Sequence, residues 1–151
     1  MRLLRTDPLR QELASLPLFS ACSRSELSRI GSLMTKVRLA AGRVLIRQGA
    51  PGDELMIIVD GSARVTRESD DGVATVATVG AGDIVGEMAL LSGHPRGRRT
   101  ATVTATTDLE FYVLTPSEFH QVLDIAPSVA EKVHQVAEAR TVALAEARTA
   151  A

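Results

Sequence analysis

Glu87 and the arginines Arg96, Arg98 and Arg99 share one short run of the chain, residues 86–103, which reads G-E-M-A-L-L-S-G-H-P-R-G-R-R-T-A-T-V. A guanidinium meets phosphate oxygens through two parallel N–H bonds, and such charge-assisted bonds are about twice as strong as neutral ones. An ionised glutamate only accepts, so it suits a hydroxyl group and not the phosphate. The small and aliphatic residues Met88 to Leu91 fit a short helical turn, whose first N–H groups lack intrahelical partners and can face an anion. These residue types together suit a ligand with one phosphate and one hydroxyl. The bland alternative is an exposed basic loop that serves solubility alone.

The run resembles the phosphate-binding cassette of cyclic-nucleotide-binding domains, whose pattern is close to G-E-[LIM]-A-L-x-x-x-x-P-R-[STA]-A-[TS]-V. Gly86, Glu87, Met88, Ala89 and Leu90 match its first block in order, and Thr100, Ala101, Thr102 and Val103 match its last. The resemblance implies that Glu87 binds a ribose 2′-hydroxyl, while backbone amides near Ala89 and one arginine hold the cyclic phosphate. This sequence is about three residues longer between the blocks than the common pattern. Counting forward from Glu87 selects Arg96 as the phosphate ligand, and counting back from Ala101 selects Arg99. Arg99 is favoured because it adjoins Thr100, whose amide and hydroxyl would face the phosphate; Arg96 and Arg98 then lie in a solvated loop tip.

Composition excludes several function classes. The 151 residues suit one domain with an independent core, and 45% hydrophobic with 23% charged residues is an ordinary globular balance. Aromatic residues are only 3%, too few for a stacking platform for single-stranded nucleic acid, and a net charge of −1 provides no basic field to draw the chain to DNA. Cys22 is alone, which rules out an intrachain disulfide or a cysteine metal cluster and reads as a small buried apolar residue before a helix. His94, His120 and His134 have no metal-ligand spacing and are read as surface residues. No apolar run approaches the roughly 18 residues that span a bilayer, and the N-terminus lacks a signal peptide's apolar core, so the expected location is cytoplasmic.

The elements that must position the cassette are legible from periodicity. Residues 1–34 read as N-terminal helices: Leu9, Leu13 and Leu16 fall at helical spacing, and Ser23 with Glu26 forms a capping box ahead of Leu27, Ile30, Leu33 and Met34. Residues 35–114 change to short β-type runs punctuated by glycine about every ten residues. The candidate strands are Val37 and Leu39, then 44–46, 56–59, 63–66, 73–79, 84–85, 101–105 and 109–114. Such spacing implies a barrel or sandwich. Val76 and Val85 are candidates for the wall of a ligand pocket, alongside Val73 and Val79. After residue 114 glycine disappears. Thr115, Pro116 and Glu118 form a strong helix start, and Pro127 opens a second helix.

The same resemblance extends over nearly the whole chain, through turns such as residues 48–53 and 80–83. It implies an α+β fold: an eight-stranded antiparallel β-roll, jelly-roll-like, with N-terminal helices and two C-terminal hinge and lid helices over residues 115–151, all in one domain of residues 1–151. From the cassette onward the chain is similar to the binding domains of bacterial cyclic-nucleotide-gated potassium channels, which places their base-contacting arginine at Arg140. The alternative for Arg140 is a surface residue paired with Glu138 or with charges near Glu146.

The expected function is that of a non-enzymatic sensor of cyclic AMP, or of cyclic GMP, that moves its C-terminal helices on binding, with modest selectivity in favour of cyclic AMP and an effector protein or fused effector domain as partner. No further cofactor, metal, direct DNA contact or membrane segment is expected. A degenerate fold used only for protein contacts is the alternative; a phosphodiester hydrolase is disfavoured because no His/Asp cluster has suitable spacing.

Overall fold

A computed structural model of the chain describes residues 8–87 and 98–149, with side chains from residue 11 to 87 and from 98 to 140. The N-terminal region forms three short pieces: α1 (Pro8–Ala14), a 3-10 turn (Pro17–Phe19) and α2 (Arg24–Gly31). The N-terminal helices expected over residues 1–34 are thus separate pieces on either side of Pro17. Pro17 has no N–H to continue α1 and opens the 3-10 turn instead. At α2 the capping box is made in full, the Glu26 amide donating to Ser23 Oγ at 3.2 Å and the Ser23 amide to Glu26 Oε1 at 2.7 Å.

Eight antiparallel strands follow in two four-stranded sheets. The strands are β1 (Thr35–Leu39), β2 (Val44–Ile46), β3 (Leu55–Asp60), β4 (Ser62–Ser69), β5 (Gly72–Gly80), β6 (Ile84–Val85), β7 (Thr102–Ala105) and β8 (Leu109–Leu114). One sheet runs β1-β8-β3-β6 and the other β2-β7-β4-β5. Ala101, expected in a strand, stands just outside β7 in the turn that leads into it.

β3 explains why the roll sits between two layers. Its alternate residues Leu55 and Ile57 pack with the helices, Leu13, Phe19, Ile30 and Val129 among them. Met56 and Ile58 face the other way, into the roll, against Ala63, Val79, Val85, Val103 and Phe111. A strand buried on both faces reads as a continuous apolar run, and Leu-Met-Ile-Ile-Val does.

Helices α3 (Pro116–Ile125) and α4 (Ser128–Thr149) close the chain. Thr115 and Glu118 cap α3 reciprocally, at 3.2 and 2.8 Å, and Phe119 and Val122 bury its apolar face. On α4, Val129, Val133 and Ala137 are buried. Lys132 donates from Nζ to the Pro17 carbonyl at 2.8 Å and to Ser20 Oγ, which fixes α4 against the N-terminal 3-10 turn. Among the described residues, no helix is long and apolar enough to cross a membrane.

Candidate functional site

β6 is only two residues long because Gly86 turns the chain out of the sheet at φ +88°. A Cβ at that position would stand 2.5 Å from the Glu54 carbonyl oxygen and 3.0 Å from Arg99 Nη1, so glycine is required both by the backbone conformation and by the close approach. This turn delivers Glu87 into the interior, where it is 1% exposed. Burying a carboxylate is unfavourable unless it is paired. Its partner is Arg140 of α4, whose Nη1 is ion-paired with Glu87 Oε1 and whose Nη2 donates to the Ile84 carbonyl at 2.6 Å. The second carboxylate oxygen, Oε2, is buried and has no hydrogen-bond donor among the described residues. Arg140 is thus half-buried and paired with Glu87; among the described residues no ion pair joins it to Glu138, and Glu146 lies outside the residues whose side chains are described.

Arg99 is the second charged group of the site, at 9% exposure. Its backbone is pinned on both sides: its amide donates to the Ala50 carbonyl at 2.9 Å and its carbonyl accepts from the Gly49 amide at 2.8 Å. Its guanidinium donates to the Glu54 carbonyl at 3.0 Å and to the Gly86 carbonyl at 3.4 Å. Burial pushes its pKa down, while the charges of Glu54, Asp53 and Glu87 pull it back up. An arginine keeps its proton through such shifts, so the site holds a fixed positive charge. Gly52 leaves the room this guanidinium needs: a Cβ there would lie 2.7 Å from Arg99 Nε and 3.0 Å from Nη2.

Glu87 and Arg99 open onto one cavity of about 400 Å³, within the size range of small-molecule pockets. Gly86, Thr100, Ala101 and Arg140 also line it, as do Val76, Val79 and Val85. Val73 is not among the lining residues and is 69% exposed. Arg98, expected at a solvated loop tip, is exposed yet lines the cavity, because it bridges Pro51 and donates to the Gly49 carbonyl at 3.0 Å. Met88, Ala89 and Arg96 lie outside the described residues. Among the lining residues that were not anticipated is Arg67 of β4, the charged one. Its signal was available, since it falls two residues beyond Val65 and four beyond buried Ala63 on one face of the strand.

Chemically the cavity offers a fixed cation, a buried carboxylate with one unengaged oxygen, and apolar walls. A sequence model of the cyclic nucleotide-binding domain matches residues 36–125. The chain belongs to the cyclic nucleotide-binding domain family. Family members are regulatory and non-catalytic domains. The chain is 36% identical over 106 residues to a cAMP-dependent protein kinase regulatory subunit of Mycosarcoma maydis, covering 70% of this chain and 20% of the relative. It is 35% identical over 127 residues to a cyclic nucleotide-gated potassium channel of Rhizobium etli, covering 84% and 34%. A crystal structure of a cyclic nucleotide-binding domain from Methylobacillus flagellatus superposes with a TM-score of 0.71 at 30% identity, over 88% of this chain and 76% of that one. The chain therefore spans about a third or less of these two curated relatives. Within this cyclic nucleotide-binding domain, the matched region runs from β1 to the end of α3, so Arg140 on α4 lies beyond it.

Proposed function

We propose that the chain is a non-enzymatic, cytoplasmic sensor of cyclic AMP or cyclic GMP in which Glu87 accepts from the ribose 2′-hydroxyl and Arg99 holds the cyclic phosphate. The reading is carried by the buried Glu87 Oε2, which has no donor among the described residues, on a residue that lines the same cavity as Arg99. A buried acceptor left unpaired is unfavourable by about 1–3 kcal/mol, and a ligand hydroxyl would remove that penalty. Thr100 and Ala101, with Gly86, Met88 and Ala89, complete the phosphate cradle in this reading, and Arg96 stays the alternative phosphate ligand. The walls facing the base, Val76 and Val85 among them, are apolar. Apolar walls discriminate weakly between bases that differ by polar groups, so selectivity is modest, with cyclic AMP expected to bind more tightly.

Binding reaches α4 through Glu87. Its Oε1 holds Arg140 while its Oε2 takes the ligand, so ligand and helix share one carboxylate. A ligand shifts a conformational equilibrium only through contacts that differ between the states, and Arg140 beside the base would supply one. An effector domain or protein reads the helix. Calorimetric titration of the chain with each nucleotide tests the proposal. One-to-one binding in the micromolar range or tighter is expected, with the unfolding free energy raised by about 2.7 kcal/mol at a hundredfold excess over Kd. No heat and no melting shift with either nucleotide at millimolar concentration would refute it.

A further inference from the structure

Arg67 lines the cavity and has no part in the site as built so far. Successive side chains of a strand alternate between its faces, so Ala63, Val65 and Arg67 share one face of β4, and that face turns inward: Ala63 is buried and Val65 packs with the core of the roll. Arg67 is the next member of the row. Its side chain is half-buried, yet among the described residues its guanidinium makes no ion pair and no hydrogen bond. The other three arginines of the cavity are all engaged: Arg140 with Glu87 and the Ile84 carbonyl, Arg99 with the Glu54 and Gly86 carbonyls, and Arg98 with the Gly49 carbonyl.

The strands on either side of β4 leave this guanidinium uncovered. On the β5 side the register shifts between Val65↔Ala77 and Thr66↔Thr75, so Val76 is an extra residue and Arg67 stands opposite Ala74. In unbroken register its neighbour would be Thr75. On the β7 side the last pair is Thr66↔Thr102, and the same register carried one residue further sets Arg67 beside Ala101. Directly opposed residues have Cβ atoms about 4.5–5.5 Å apart, and here both neighbours end at a methyl group. Neither can pair the charge. Ala101 is also the second residue after Arg99, so Arg67 enters the cavity at the end where the fixed cation stands.

We propose that Arg67 is a second phosphate-binding arginine, an assignment that rests on the cyclic-nucleotide reading above. A cyclic phosphodiester shares one negative charge between two non-bridging oxygens. Arg99 spends two of its five N–H groups on the Glu54 and Gly86 carbonyls, which fix where its guanidinium stands. Arg67 has all of its own free for a ligand. Because Arg99 comes from the loop ahead of β7 and Arg67 from β4, the two guanidinia reach the phosphate from different elements, and each takes one oxygen in a charge-assisted bond.

Titration with cyclic AMP and with its two phosphorothioates, in which sulfur replaces one or the other non-bridging oxygen, tests this on the wild type, Arg67→Ala and Arg67→Lys. Sulfur is the poorer hydrogen-bond acceptor, so in the wild type both replacements are expected to weaken binding. Arg67→Ala should weaken cyclic AMP about tenfold. It should also abolish the penalty for one phosphorothioate and keep it for the other, a coupling that a merely structural role would not produce. Arg67→Lys should recover part of the loss, and the ligand-free melting temperature should be unchanged in both variants. Arg67→Ala with the wild-type affinity, or with both sulfur penalties intact, would overturn the assignment. A wild type that binds no cyclic nucleotide would overturn the reading of the site itself, and the assignment with it.

Discussion

Glu87 and Arg140 form an ion pair that ties the cavity to the C-terminal helix, one partner nearly inaccessible and the other with 31% of its side chain exposed. Removing one member of a buried pair leaves the other charge uncompensated, which is unfavourable by about 3–5 kcal/mol for a fully buried pair. Solvent reaches Arg140, so the penalty is smaller here. Arg140→Ala is expected to lower the unfolding free energy by about 1–3 kcal/mol, measured by urea denaturation. The double variant Glu87→Gln with Arg140→Met should recover most of that loss. An Arg140→Ala protein with the wild-type denaturation midpoint would show that the pair does not form in solution.

Arg99→Ala removes the fixed cation from the cavity, and nucleotide affinity is expected to fall by about 2–4 kcal/mol. Arg99→Lys should recover little, because an ammonium cannot reproduce the planar fork that spans the Glu54 and Gly86 carbonyls. Arg96→Ala should have a much smaller effect. Parallel titrations of the three variants decide between the two counts through the cassette, and the reverse ranking would assign the phosphate to Arg96.

Gly52→Ala probes the position of Arg99 without altering its charge. The new methyl would stand 2.7 Å from Arg99 Nε, closer than real contacts allow, and the guanidinium must move aside. Affinity is expected to drop about tenfold, roughly 1.4 kcal/mol, with little change in melting temperature. Gly86→Ala should damage both, since its φ of +88° disfavours a side chain and its Cβ would meet the Glu54 carbonyl oxygen at 2.5 Å. Equal melting losses for the two variants would contradict this distinction.

Stability should also depend on pH through the exposed network of Glu12, Lys36, Arg38 and Glu110. The Arg38 Nε donates to Glu110 Oε1 at 3.0 Å and Lys36 lies 3.5 Å from the same oxygen. The hydrogen bond from Arg38, followed by the charge of Lys36, holds the Glu110 carboxyl below the ordinary glutamate range. A carboxyl depressed in the folded state stabilises it at pH above the unfolded value and loses that contribution as pH falls through the folded one. The melting difference between wild type and Glu110→Gln should therefore be largest near neutrality and vanish in strong acid. A difference that grows on acidification would show the opposite sign.

How much was legible in the sequence follows from the range of each interaction. Both capping boxes, Ser23 with Glu26 and Thr115 with Glu118, were readable because their bonds close within one helical turn. The strands were readable because glycines punctuate short apolar runs. The N-terminal helices were readable on both sides of Pro17; only the three-residue 3-10 turn at that proline left no periodic trace. Arg98 was misplaced because its position is set by the bridge to Pro51, far away in sequence. The Glu87–Arg140 pair was not legible for the same reason: residue types suggested a charge near an apolar seam, and only the packing of α4 against β6 supplies its partner.

The pairing of β1 with β8, Thr35 opposite Val113 and Leu39 opposite Leu109, joins the first strand of the roll to the last. During synthesis at about 5–20 residues per second, β1 emerges roughly 4–15 seconds before the strand it needs. Until then its edge has no partner in the roll. Non-local pairings of this kind slow folding, because loop-closure entropy is spent before any contact rewards it. The nascent roll is thus most vulnerable to wrong pairing just before β8 arrives, and a chaperone that shields β1 over that interval would raise the yield of folded chain more than one that acts on the helices.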